Sequence, residues 1–303
     1  MSAREQHLAT RRAAGLFDFS FMGLYEFQEG SALQPLQSRD LGALEPGQIA
    51  YTLLLNADGS VYNDATAWRL DRGRWWLFTG RRSDSERVRG VARDRSGEYA
   101  IIALQGPASA RVLAHVLDPQ IVGSLRYFRF VATGGWIVGR LGYSGELGYE
   151  LLVPRPESKY AWDSLLAAGR EHGVLECGFE AANSLRIESG YVLFDREIDG
   201  HANPSELGLD RLAGRRFEVR KKLVGLEILG LPARAELPAA RVTSECFSPT
   251  LQKTIALGFA APQWSDPGTE LRLADGRLAR AARLPFYDPE RRRPRAAPTT
   301  DSR

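Results

Sequence analysis

Tyr143, Glu146 and Glu150 fall within nine residues, Gly142 to Glu150, interspersed with Gly142, Gly145 and Gly148. A strand-like run, Leu151 to Val153, follows directly. A phenol and a carboxylate carried on a glycine-shaped turn can hold a flat heterocycle. The ring stacks on the phenol, and the carboxylate accepts two parallel N–H bonds from the ring's edge. A second pair of interest is Tyr51 and Asp64. They sit on two strand-like runs, Ile49–Leu55 and Val61–Leu70, joined by Asn-Ala-Asp-Gly, a hairpin-type connection. On its own, an Asp after an Asn near a strand end more often caps a turn.

The elements that must carry these residues are legible in outline. Residues 3–14, 83–94, 108–117, 156–172 and 179–190 have helical spacing or composition. Strands are expected at 75–79, 100–104, 127–132 and 136–141, with a turn at Thr133-Gly134-Gly135. Gly15 is followed by an apolar segment, Leu16–Phe27. After Leu212 the pattern changes to short strands and turns at 223–228, 240–243, 255–260, 269–273 and 279–284, which implies a small all-β domain. The divisions expected are 1–212, 213–289 and a disordered, basic, Pro-rich tail over 290–303.

Composition excludes several function classes. The 303 residues are 44% hydrophobic and 25% charged, ordinary for a globular chain with an ample core. The formal net charge is +3. Residues 290–303 hold five arginines against Glu290 and Asp301, so the tail accounts for all of it and the remaining body sums to zero. No nucleic-acid partner is expected of such a body. No run reaches the length of a membrane span, and the N-terminus has no signal-peptide core. Cys177 and Cys246 make neither a disulfide framework nor a four-thiolate site, so a reduced, cytoplasmic setting is expected. The four histidines form no i,i+4 ligand pair, and no metal site is expected. Neither a Gly-x-Gly-x-x-Gly turn nor a P-loop is present.

Read together, several segments in order carry a family resemblance. They are Gly15–Gly23, Tyr51–Leu70, Leu-Gln-Gly-Pro at 104–107, Gly142–Glu150, Ser184–Tyr191, Glu197–Asp199, Ser248–Leu251 and Pro285–Tyr287. This set resembles the glycine-cleavage T-protein (aminomethyltransferase) superfamily of tetrahydrofolate-dependent one-carbon transferases, over about residues 5–289. The resemblance implies an α+β fold, with folate-binding domains around a central channel, followed by a small C-terminal β-barrel. It implies tetrahydrofolate as cofactor. Asp64 falls on the family's key aspartate, which faces the N5/N10 region of the folate. Tyr51 falls on a pterin-side tyrosine. Tyr143 and Glu150 fall on the tyrosine and glutamate that hold the pterin. Arg186 and Glu188 read as a structural ion pair, Asp18 and Ser20 as the fixers of a turn, and Tyr287 as core packing or channel lining.

Departures from the family refine the expectation. Ala182 stands where the family has an arginine. Asn63-Asp64 replaces a pair of aspartates, and Phe21 replaces a histidine. The run Asn63–Thr66 with Trp68-Arg69-Leu70 is closer to the demethylase branches, which act on N-methyl, sulfonium and aryl methyl ether donors. A segment usual in the family before the position of Glu5 is lacking, and connections near 94–100, 212–222 and 236–242 are short. The expected activity is transfer of a methyl group from a small-molecule N-, S- or O-methyl donor to tetrahydrofolate. The alternatives are aminomethyl transfer in a glycine-cleavage system, or a non-enzymatic folate-binding module or subunit of a partner oxidase. A partner oxidase or carrier protein is compatible with these.

Overall fold

A computed structural model describes residues 1–300, with Leu231 described in its backbone alone. In chain order the first half comprises α1 (Ala3–Arg12), β1 (Gly15–Asp18), β2 (Gly23–Phe27), α2 (Gly30–Leu33), β3 (Ile49–Leu55), β4 (Val61–Arg69), β5 (Trp75–Thr79), β6 (Arg93–Asp94), β7 (Tyr99–Gln105), α3 (Ser109–Ala114) and α4 (Pro119–Ser124). There follow β8 (Phe130–Thr133), β9 (Trp136–Gly139), β10 (Gly148–Pro154), α5 (Ser158–Gly169), β11 (Leu175–Cys177), α6 (Phe179–Glu188) and α7 (Asp210–Ala213). The C-terminal strands are β12 (Lys222–Pro232), β13 (Ala239–Ser248), β14 (Lys253–Ala260), β15 (Glu270–Leu273) and β16 (Arg277–Ala282).

These strands make two sheets and a barrel. One sheet has the order β11-β1-β7-β10-β9-β8, the other β3-β4-β5-β2-β6, and β12-β14-β13-β15-β16 close on themselves. The period-2 alternation of β7 and β10 fixes the layers. Ile102, Leu104, Leu151 and Val153 face helices α3–α5 on one side. Ile101, Ala103 and Leu152 face Trp68, Trp76 and Phe78 of the second sheet on the other. The far face of that second sheet buries its own layer, including Tyr25, Leu54, Ala65 and Ala67. The fold is therefore α+β with a C-terminal barrel, as expected.

Three local expectations differ from the structure. Residues 83–94 do not form one helix. Arg82–Val88 is a 3-10 segment, Gly90 turns the chain at φ +80°, and β6 then adds to β2. The apolar run 16–27 divides into β1 and β2, which belong to different sheets. The turn between them is fixed by Asp18, whose Oδ1 accepts the Ser20 N–H at 2.9 Å, and by Ser20 Oγ, which accepts the Ile101 N–H at 3.0 Å. Finally, the tail expected to be disordered from 290 onwards makes defined contacts with the body, although most of its residues are exposed. Pro294 is buried, Arg293 reaches Glu146 at 3.2 Å, and the Ala296 carbonyl accepts from Arg140. Arg293 finds a buried acceptor in Glu146, which composition alone does not reveal. Residues 301–303 of that expectation lie outside the described residues.

A buried polar seam joins the barrel to the first two thirds of the chain. Arg186 of α6, 1% exposed, donates to Glu197 at 2.6 Å and to Ser244 of β13 at 2.7 Å. Its partner is thus Glu197, not Glu188 as expected. Glu188 binds Arg11 of α1 at 2.7 Å, lies 3.1 Å from His7, and accepts from Ser248 of the barrel.

Candidate functional site

Glu150 and Leu152 share the face of β10 that looks towards the five-stranded sheet, because side chains alternate along a strand. On the facing sheet, Asp64 and Thr66 share one face of β4, while Asn63 and Ala65 alternate to the other. Register pairs Tyr51 with Thr66 and Leu53 with Asp64. The Tyr51 hydroxyl lies diagonally across and donates to Asp64 Oδ2 at 2.8 Å. Asp64, Tyr51, Tyr143 and Glu150 all line one cavity between the sheets, of about 150 Å³. The structure thus brings together the four residues singled out in the sequence.

The glycines around Tyr143 have a specific cause. A Cβ on Gly142 would meet the Gln105 side chain at 1.8 Å, and one on Gly148 would meet it at 2.4 Å. The segment wraps Gln105, whose Nε2 donates to the Leu141 and Tyr149 carbonyls and whose Oε1 accepts from Ser144. Gly145 lies at φ +79°. The wrapped turn delivers Tyr143 to the cavity, where its hydroxyl donates to the Val192 carbonyl at 2.5 Å and its ring stacks on Tyr191 at 5.9 Å. Glu146 is not part of the cavity. It binds Arg11 at 3.0 Å and Arg293. Tyr287 is also elsewhere, between the guanidinium groups of Arg11 and Arg293.

Burial sets the electrostatics. It pushes the Glu150 carboxyl up to about 7, with no compensating donor. Among the described residues no hydrogen bond reaches its carboxylate, although only 8% of the residue is exposed. Burial also raises Asp64, to about 6, against the lowering influence of the Tyr51 hydroxyl and a backbone N–H. Tyr51 and Tyr143 are pushed well above the usual phenol value, by burial first and then by the nearby Asp64 charge. The cavity lining contains two carboxyls, several aromatic rings and no Lys, Arg or His.

The remainder of the lining was not singled out in the sequence as site residues. Phe19, Phe21 and Met22 come from the β1–β2 turn, Phe179 from the start of α6, Phe128 from the approach to β8, and Val192–Phe194 from the loop after α6. Phe21 and Phe179 meet edge to face at 6.2 Å and are 44% and 50% exposed, so they mark the mouth. Apolar residues scattered over these four segments look like core in a sequence. Only the position of Phe21, directly after the polar turn Asp18–Ser20, offers a signal.

Two sheets enclose an acidic, aromatic cavity, and a β-barrel completes the fold. Residues 1–216 match the family described as GCVT N-terminal domain, and residues 221–288 match the glycine cleavage T-protein C-terminal barrel domain. The aminomethyltransferase of Symbiobacterium thermophilum is 34% identical, over 96% of this chain and 91% of that one. The aminomethyltransferase of Thermosynechococcus vestitus is 34% identical, over 89% and 83%. The crystal structure of glycine cleavage system aminomethyltransferase T from Bartonella henselae superposes with a TM-score of 0.81 at 26% identity, covering 95% of this chain and 90% of that one. The chain belongs to the glycine-cleavage T-protein family of tetrahydrofolate-dependent transferases. Among the described residues no helix is long and apolar enough to cross a membrane, and no cluster of metal-ligating side chains occurs.

The cavity suits a tetrahydrofolate. A buried carboxylate without a partner costs free energy unless a ligand supplies donors. Glu150 is such a group, and a pterin edge presents adjacent N–H donors that match it.

Proposed function

We propose that the cavity binds tetrahydrofolate with Glu150 and Tyr143 on the pterin and Asp64 at the reacting nitrogen, and that the chain transfers a one-carbon unit to it. The unpartnered, buried Glu150 carboxylate is the observation that carries this reading. Glu150 accepts the ring's N–H donors, and its carboxyl, held near 7 without ligand, ionises as those donors arrive. Tyr143 offers its ring face; its hydroxyl, already committed to Val192, holds that face in place. When bound, tetrahydrofolate supplies the amine nitrogen that accepts the one-carbon unit. Asp64, oriented by the Tyr51 hydroxyl, takes the proton that this nitrogen releases. Its value near 6 lets it accept that proton at neutral pH; the donor heteroatom leaves with the electron pair of its bond to the carbon and takes up the proton, which passes to solvent only where the donor is a cation. Alignment of donor and acceptor in the enclosed cavity supplies most of the remaining rate.

For the donor, we favour a methyl group carried on nitrogen, sulfur or oxygen of a small molecule. The aromatic mouth formed by Phe21 and Phe179 supports this choice. Aminomethyl transfer from a carrier protein is the second reading, favoured by the names of the relatives. The experiment is titration calorimetry of tetrahydrofolate, under anaerobic and reducing conditions, into the native chain, Glu150→Gln and Asp64→Asn. Binding lost in Glu150→Gln and kept in Asp64→Asn is the expected pattern. No binding by the native chain would end the proposal. Turnover with methylated small molecules, set against an aminomethyl-loaded carrier protein, then decides between donors.

A further inference from the structure

Behind Asp64 lies a second carboxylate that never reaches the cavity. Asp84, on the 3-10 segment, is fully buried. Its Oδ1 accepts Arg81 Nε at 2.9 Å and the Tyr62 hydroxyl at 3.1 Å. Its Oδ2 accepts the Asn63 amide at 2.6 Å. Asn63 is also fully buried, and its Oδ1 accepts the backbone N–H of Asp64 at 2.9 Å. A continuous chain therefore runs from Asp84 through Asn63 to the backbone of the residue at the reacting end of the cavity. It extends the other way too. Arg81 Nη1 donates to Asp195 at 2.8 Å, and its guanidinium lies 5.7 Å from the Phe194 ring. Phe194 is a wall of the cavity, seated on Gly80, where a Cβ would meet its Cδ1 at 2.4 Å.

We propose that Asp84 and Asn63 are positioning residues for Asp64, and that Arg81 ties the same network to the Phe194 wall. This rests on the role given to Asp64 above. Arg81 and Tyr62 already serve Asp84's other oxygen, so pairing a buried charge does not by itself require Asn63 to face it. The two side-chain hydrogen bonds of Asn63 are those to Asp84 and to Asp64. Its amide links the buried anion to the backbone N–H of Asp64.

The arrangement also has an electrostatic consequence. Asp64 is faced by the Tyr51 hydroxyl from β3, by Tyr143 from the turn before β10, and by Asp84 from behind; Glu150 of β10 shares its cavity. Tyr51 favours the ionised form, whereas the Asp84 charge, which Arg81 pairs at 2.9 Å, favours the protonated form. Asp84 thus helps to keep Asp64 a competent proton acceptor rather than a permanently ionised one.

The test is a carbon-13 NMR titration of the full chain labelled at aspartate carboxyls, with the Asp64 signal assigned by its loss in Asp64→Asn. The native midpoint is expected near 6. Asp84→Asn should lower it by roughly half a unit or more, because a like charge is removed. Arg81→Gln should raise it, because the offset on Asp84 is lost. A purely structural role for the network predicts changed melting temperatures with the Asp64 midpoint unmoved. An unmoved midpoint in folded Asp84→Asn overturns the proposal. If that variant does not fold, an unmoved midpoint in Arg81→Gln does so. Tetrahydrofolate calorimetry on the same samples separates the two claims. Loss of binding by the native chain defeats the functional reading, whereas the midpoints judge the network directly.

Discussion

Glu150 is where sequence, burial and chemistry meet in a single residue. Its folded value near 7 lies above the ordinary 4.5, so the sign of its effect on stability is fixed. Below pH 4.5 the side chain is protonated in both folded and unfolded chains and costs nothing extra. As the pH rises through 7 the folded chain must carry a buried charge, and stability is lost. Glu150→Gln should therefore be more stable than the native chain at pH 8, by about 3 kcal/mol. The gap should close by pH 4.5, and urea unfolding at the two pH values measures it. Equal stabilities at pH 8 would mean that donors reach the carboxylate. Tyr51→Phe tests the other carboxyl: without its one side-chain donor the Asp64 midpoint should rise above 6. At this scale the polar half of the site was legible, because Tyr143 and Glu150 stand among glycines whose spacing needs a reason. The reason itself was not legible. That Gly142 and Gly148 make room for Gln105 depends on a strand pairing far along the chain. The aromatic mouth was hidden for a different cause: phenylalanines at 19, 21, 128, 179 and 194 have the same sequence signature as core.

At the scale of elements, the hairpin of β3 and β4 was readable because a turn signal separates two runs of β-branched and aromatic residues. The 3-10 segment at 82–88 was not. Its charged residues fit a helix, but Gly90 and the burial of Asp84 against Asn63 favour a tighter turn. The junction of α1, α6 and the barrel was also invisible, since His7, Arg11, Glu188 and Ser248 are far apart in the chain. It carries a defined prediction. Burial alone would raise the Glu188 carboxyl, but His7, Arg11 and Ser248 outweigh it and hold the group at about 2. The folded value lies below the unfolded 4.5, so the stabilisation is present above pH 4.5 and is lost as pH falls towards 2. Glu188→Gln should cost about 3 kcal/mol at pH 7, near the lower end for breaking a buried pair. The cost should shrink steadily below pH 4.5. A pH-independent difference in urea unfolding would assign the loss to packing instead of charge.

For the whole molecule, the question is how the chain's two ends and its barrel hold the cavity as one body. Arg186 links α6 to Glu197 and to Ser244 of β13, so removing the barrel would cost the guanidinium one partner and uncover a buried ion pair. The C-terminal segment packs against a residue that backs the site. Arg291 lies 5.5 Å from the ring of Tyr191, which stacks on Tyr143. The Ala296 carbonyl takes a hydrogen bond from Arg140, a buried residue with no carboxylate partner among the described residues. Composition marked residues 290–303 as a solvated tail because charge and proline dominate there, yet the receiving groups, Glu146 and Arg140, lie in the middle of the chain. Truncation after Pro289 should then do more than remove a net charge of +3. Arg140 keeps the Leu125 carbonyl at 2.9 Å but loses Ala296, a cost of about 1–3 kcal/mol for a buried donor left unmade. The partly exposed Arg293–Glu146 pair should add little, since solvent screens it. Calorimetric melting should show one cooperative transition, lowered by roughly 2–5 °C for a loss of that size in a chain this long. Tetrahydrofolate affinity should also fall, because Tyr191 loses its cover and Tyr143 its rigid backing. A truncated chain that melts and binds like the native one would show that the segment rests on the surface without supporting the site.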